Sequence, residues 1–143
     1  MGYEGEYYLI RKFADKGRPG TYAVRTPGSG AGKLPKPDII AVDSGELLAI
    51  EVKSSNKPYV ILNSSQVERL LAFCDRFVVR CPHCGAEIKP KPILAARFLN
   101  REWSFAEIPM NWRGSIILRK SGRASGGGRL SSPEREGGEE SSR

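Results

Sequence analysis

Apolar residues recur at helical spacing through residues 3–16, YEGEYYLIRKFADK, where Tyr3, Tyr7, Ile10 and Ala14 form one stripe. Gly17 follows where a helix-ending glycine belongs, and Lys12 and Lys16 fall in the later turns, where cations suit the helix dipole. TYAVR then reads as a short strand ending at Arg25. Two apolar runs, DIIAV and LLAIEVK, are separated by DSGE, which is a hairpin signal. SSQVERLLAFCDRF reads as a second helix opened by Ser64 or Ser65. FVVR, PILAARFL and SIILRK are further strand candidates. A helix, three strands, a second helix and more strands predict an α/β fold with a central mixed sheet flanked by helices. No segment repeats.

The hairpin carries the chemistry. A turn centred on Ser44 and Gly45 pairs Val42 with Leu47, and counting back along both strands sets Asp38 opposite Glu51. Side chains alternate along a strand, so Leu47, Ala49, Glu51 and Lys53 share one face while Leu48, Ile50 and Val52 share the other. Directly opposed Cβ atoms lie about 5 Å apart, a separation at which like charges repel. A divalent cation explains such a pair. Hard oxygen ligands suit Mg2+ or Mn2+, which activate water for attack on phosphate. Lys53, one pleat away, is placed to position that water or to stabilise the charge growing on the phosphate. The plainer alternative pairs Asp38 and Glu51 with Lys53 and Lys36 at a strand edge; it explains less about a glutamate set in an otherwise apolar strand.

The periodic pattern stops near Lys120. Residues 1–120 read as one domain, and residues 121–143, SGRASGGGRLSSPEREGGEESSR, as a disordered Gly/Ser/Glu/Arg tail with almost nothing to bury. The net charge is +7, from 23 Lys and Arg against 16 Asp and Glu. In the tail Arg123, Arg129, Arg135 and Arg143 cancel Glu134, Glu136, Glu139 and Glu140, so the excess lies on the folded part and favours a polyanionic partner. Solubility alone is the other use of such charge. No apolar run approaches the roughly 20 residues of a bilayer span, and MGYEGEYYLI is acidic where a signal peptide is basic. No membrane association and an intracellular location are expected.

With Pro37 and Asp38 as its first part and Glu51, Val52 and Lys53 as its second, KPDIIAVDSGELLAIEVKS resembles the PD-(D/E)xK signature of metal-dependent nucleases. A GxxxE helix ending in DKG, a strand ending VRTPGSG, the hairpin, and a helix beginning near Gln66 are similar, in order and spacing, to the archaeal Holliday junction resolvases. The likeness is closest over residues 1 to 80. It implies a restriction-endonuclease-like core and a homodimer. It also implies Mg2+-dependent cutting of two opposed strands of a four-way DNA junction, in recombination and repair. By that resemblance Glu6, Asp38 and Glu51 hold the metal, Lys53 and Ser29 join them in catalysis, and Arg25, Ser29, Lys33 and Arg11 contact DNA. Helix geometry selects Glu6 over Glu4, because Glu6 shares a face with Ile10 and Phe13 while Glu4 shares one with Tyr8 and Arg11. Gln66, early in the second helix, is either a further active-site residue or an ordinary exposed glutamine.

GSGAGK, residues 28–33, is no ATP site. In a phosphate loop of the G-x-x-x-x-G-K-[ST] type, Pro27 would stand at the first glycine and Leu34 at the metal-binding hydroxyl, and Pro35 and Pro37 prevent the helix that should follow. Ser29 and Lys33 are instead available to close over a DNA phosphate; a plain strand connection uses the same residues. CPHCG, residues 81–85, supplies Cys81 and Cys84 as half of a zinc site, without a second CxxC. A zinc shared across a dimer, a disulfide of the kind hyperthermophiles tolerate, and a reduced turn all fit. Trp103, Phe105 and Trp112 suit packing, and Arg97, Arg101 and Arg113 are solvated or extend the DNA surface. Two rivals to a junction nuclease remain: a related nuclease acting on ordinary duplex, and a non-catalytic zinc-knuckle module that binds nucleic acid.

Overall fold

The computed structural model describes residues 2–27, 34–120 and 124–125. Helix α1 (Gly2–Ala14) leads to β1 (Thr21–Arg25), β2 (Ile39–Asp43) and β3 (Glu46–Ser54). Then come β4 (Tyr59–Leu62), α2 (Ser64–Arg76), the short β5 (Val79–Arg80) and β6 (Glu87–Ile88), and β7 (Lys91–Arg97). A single 3-10 turn, Leu99–Arg101, precedes β8 (Trp103–Glu107), β9 (Ile116–Arg119) and β10 (Ala124–Ser125). A five-stranded sheet runs β1-β2-β3-β7-β8. It is mixed, as expected, because β3 and β7 are parallel while its other neighbours are antiparallel. β10, β9 and β4 make a second sheet, and β5 and β6 a separate ribbon. No helix among the described residues is long and apolar enough to cross a membrane.

The alternation along β3 and β7 builds two cores. Ala49, Leu94 and Ala96 face one way and pack with Val67, Leu70 and Cys74 of α2 and with Val60, Leu62, Ile116 and Leu118 of the second sheet. Ile50 and Ala95 face the other way, against Leu9 of α1, with Ile10, Phe13, Val52 and Trp103 around them. The main sheet is thus covered on both faces, which explains why its central strands are nearly all apolar. Gly5 lets α1 approach closely; a Cβ there would lie 3.4 Å from Val52 Cγ1 and 3.6 Å from Trp103.

Several expectations need correction. The buried stripe of α1 runs through Gly5, Leu9, Ile10 and Phe13, whereas Tyr7 is 61% exposed. A tyrosine keeps its hydroxyl in water at little cost, and the purely apolar Leu9 and Phe13 take the inner face. α2 is capped by Asn63 rather than by a serine, through a reciprocal capping box with Gln66. β4 and β8 form from stretches that the periodicity did not mark as strands. Phe105 lies exposed on β8 and stacks on Trp103, whereas Trp112 is buried and donates Nε1–H to the Ser115 carbonyl. Arg97 approaches Glu4 at 3.6 Å, while Arg101 and Arg113 are exposed. Strand pairing extends past Lys120, since Ala124 and Ser125 pair with Leu118 and Ile117; residues 121–123 and 126–143, where the tail was expected, lie outside the described residues.

The β2–β3 turn is as read: Asp43 pairs with Glu46, and Ser44 and Gly45 both take positive φ, 53° and 94°. This is a two-residue turn of the kind that matches strand twist. Gly45→Ala should therefore cost about 1–2 kcal/mol in urea unfolding, the penalty of a Cβ in left-handed backbone, while leaving the strand register intact.

Candidate active site

The register places the two carboxylates as counted. Ile39 pairs with Ile50. One step further Asp38 N–H donates to the Ile50 carbonyl (3.0 Å), which sets Asp38 across from Glu51. Local bonds fix Asp38 at the mouth of the hairpin. Its carbonyl accepts from Thr26 N–H (2.9 Å), and its Oδ2 accepts from Val52 N–H (2.8 Å). The Thr26 hydroxyl donates to the Pro37 carbonyl (2.5 Å), and Pro37 itself is fully buried. The proline-aspartate step is thereby clamped between the end of β1 and the middle of β3.

Electrostatics make this pair costly when ionised. Glu51 is pushed up to about 8, first by burial and then by Asp38 and Glu6, with Lys53 and Arg69 acting against the shift. Asp38 is also raised, by burial above all and then by Glu6, against the Val52 N–H bond and the charges of Lys53 and Arg25. Two half-buried acids, partly desolvated and set across from each other, fit a hard divalent cation, which would supply the charge that the surrounding side chains do not fully provide.

Glu6 points inward from α1, its side chain 13% exposed, but it is not gathered into that pair as a third metal ligand. Its Oε1 accepts from Arg25 Nε at 2.7 Å, so the guanidinium takes the carboxylate. Among the described residues no three His, Cys, Asp or Glu side chains come together to hold an ion. Lys53 stands two residues beyond Glu51 on β3, half-buried. Gln66 serves the helix cap: its Oε1 accepts from Asn63 N–H (3.1 Å). Arg11 lies exposed on α1 beside Tyr7 and Asp15. Ser29 and Lys33, with the glycines around them, lie outside the described residues.

Two residues went unnoticed in the sequence. Arg69 on α2 acts on Glu51 through its charge and donates Nη2–H to the Leu34 carbonyl at 3.1 Å, bracing the segment that enters the proline-aspartate step. Its position three residues after Gln66 was the available signal, since both fall on one side of a helix. Thr26 had no such signal, because its role is a hydrogen bond to the carbonyl of Pro37, distant in sequence.

A mixed sheet covered on both faces, with opposed acids and a lysine near the open end of its hairpin, defines the class: an α/β protein of restriction-endonuclease-like fold. The sequence profile of the archaeal Holliday junction resolvase (Hjc) family matches residues 1–126, and the chain belongs to that family. It is 38% identical over 73 residues to a crossover junction endodeoxyribonuclease of Sulfolobus islandicus rod-shaped virus 1, covering 51% of this chain and 60% of the relative. It is 32% identical over 93 residues to the crossover junction endodeoxyribonuclease Hjc of Archaeoglobus fulgidus, covering 65% of this chain and 60% of the relative. The chain thus matches about three fifths of the length of these relatives. The solved structure of Archaeoglobus fulgidus Hjc, a Holliday junction resolvase, superposes with a TM-score of 0.56 at 28% identity, covering 71% of this chain and 72% of that one.

A carboxyl whose folded pKa lies above its unfolded value costs nothing while both states are protonated; the penalty grows once the unfolded chain ionises and levels off at the folded pKa. In a chelator the protein should therefore lose stability from the ordinary carboxylate range up to about pH 8. The loss should not exceed about 1.4 kcal/mol per pH unit for each such group. Denaturant unfolding at a series of pH values checks this, and Glu51→Gln should flatten the slope.

Proposed function

We propose that the chain is a structure-selective DNA endonuclease that resolves four-way (Holliday) junctions by paired nicks dependent on a divalent metal. The observation that carries this reading is the half-buried, mutually opposed pair Asp38 and Glu51, with Lys53 on the same strand as Glu51. Family membership and the junction nucleases among the relatives support the substrate.

Asp38 and Glu51 would hold the ion, and Mg2+, with Mn2+ as substitute, suits two carboxylates that leave the remaining positions to water and phosphate. When bound, the ion supplies Lewis-acid stabilisation of the phosphate and a more acidic water. Lys53 is placed to neutralise charge that develops on the phosphate during cleavage. The Arg25–Glu6 ion pair holds one guanidinium at the end of β1, beside the acids whose charge it influences. From there Arg25 can meet a backbone phosphate as a planar, multiply donating cation. Arg11, exposed one turn and a half further along α1, extends that basic face. Ser29 and Lys33 follow Arg25 closely in the chain and would add phosphate contacts beside the acids.

Two copies related by a two-fold axis would put two sites on a two-fold junction, so paired nicks follow from symmetry. Contacts to phosphates fix position without reading bases, which suits a substrate recognised by shape and gives binding a steep salt dependence. Asp38→Asn and Glu51→Gln should each reduce Mg2+-dependent cleavage of a synthetic four-way junction by about a hundredfold or more while leaving junction binding in place. Retained cleavage in either variant would overturn the site. Equal cutting of linear duplex, fork and junction by the wild type would point to a nuclease for ordinary duplex. Binding with no cleavage under any divalent metal would make the chain a binding module.

A further inference from the structure

The cysteine turn takes no part in the site above. We propose that Cys81 and Cys84 are half of a tetrahedral zinc site, completed by the same pair from a second copy of this chain.

CPHCG forms the tip between β5 and β6. Cys81 N–H donates to the Ala86 carbonyl (2.8 Å), and Gly85 N–H donates to the Cys81 carbonyl (2.9 Å). Gly85 takes a φ of 79°, left-handed backbone that turns the chain back on itself. The folded-back turn brings the backbone N–H groups of Cys84, His83 and Gly85 to the Cys81 sulfur. Two thiols in one tight turn, with amides to stabilise the anion, are what a zinc-binding knuckle requires.

Ligand arithmetic says where the other half lies. The chain has three cysteines and one histidine. Cys74 is fully buried against the sheet under α2, and burial pushes its thiol up to about 12. His83 sits inside the knuckle, and among the described residues no third His, Cys, Asp or Glu joins the pair. Thiolate and imidazole donors from one chain therefore do not complete a tetrahedron.

The surface around the turn suits a second copy. β5 and β6 form a two-residue ribbon separate from both larger sheets, and such a ribbon is marginal by itself. Its cross-strand pair Val79 and Ile88 is 51% and 48% exposed, and nearby Phe77 is 43% exposed. A two-fold contact would bring like against like, burying these apolar side chains and presenting two CxxC pairs to one ion. Closure by metal would stabilise a ribbon that has no core of its own.

The test uses the full chain, purified under reductant, with zinc alone as the probe. Metal analysis should find one zinc per two chains, and cobalt substitution should give the absorption of a tetrahedral four-thiolate site. Cys81→Ser and Cys84→Ser should each abolish zinc binding, a readout that does not depend on whether the nuclease reading stands. One zinc per chain, no zinc, zinc retained by both variants, or a Cys81–Cys84 disulfide in the purified protein would each overturn the proposal.

Discussion

The whole arrangement depends on one forced contact: Asp38 and Glu51 held face to face across two antiparallel strands. A two-residue turn with positive φ at Ser44 and Gly45 sets the register, and that register cannot slip by one residue without sending every side chain of β3 to the wrong face. The acids are thus opposed by the same device that puts Ala49 into one core and Ile50 into the other. Repulsion between them is tolerated because the strands that carry them are locked elsewhere, by apolar packing on both faces and by the parallel pairing of β3 with β7.

The groups around the acids come from both sides of the sheet. α1 brings Glu6, which engages Arg25 at the end of β1; α2, on the opposite face, brings Arg69, which acts on Glu51 and braces Leu34. The hairpin mouth is where these groups approach the acids, since β1 ends there at Arg25 and β2 begins at Ile39 while β3 runs on to Ser54. Thr26 and the buried Pro37 complete the clamp from below. A site built this way has its acids and lysine held by the hairpin and the bonds around it.

What could be read in the sequence was local. The hairpin, its turn and the sharing of faces by Glu51 and Lys53 follow from a period of two and a two-residue turn, and neither depends on distant residues. The inward aim of Glu6 followed from its spacing to Ile10 and Phe13, although the same reasoning put Tyr7 on the buried stripe, where the exposed phenol shows that amphipathic side chains do not obey a simple stripe. β4 escaped notice because its partner, β9, lies more than fifty residues away, and a short run such as YVIL has no period to betray it. Gln66 was left open between two uses, and the structure adds a third: Asn63, three residues before it, offers a backbone N–H that a glutamine at this helix position accepts from, so the side chain serves the local cap. Thr26 acts through a bond to a carbonyl distant in sequence, that of Pro37, which no pattern of residue types encodes, whereas Arg69 could have been noticed from its helical spacing to Gln66.

The charge balance argues for a divalent ion over a proton or a lysine. Three acids, Glu6, Asp38 and Glu51, stand near three cations, Arg25, Lys53 and Arg69, so the cluster is neutral on paper. Geometry removes that neutrality from the pair that matters. Arg25 is bound to Glu6, and Arg69 spends one donor on Leu34, while burial continues to disfavour the ionised forms of Asp38 and Glu51. A proton relieves one acid but removes a ligand and adds no means of polarising a phosphate. A further lysine would answer the charge, yet as a compact point charge it cannot bridge two carboxylates and a substrate oxygen at once. A hard divalent cation would satisfy both carboxylates and leave positions to the substrate, and its binding would displace the protons that burial favours, coupling metal binding to the state of these two acids.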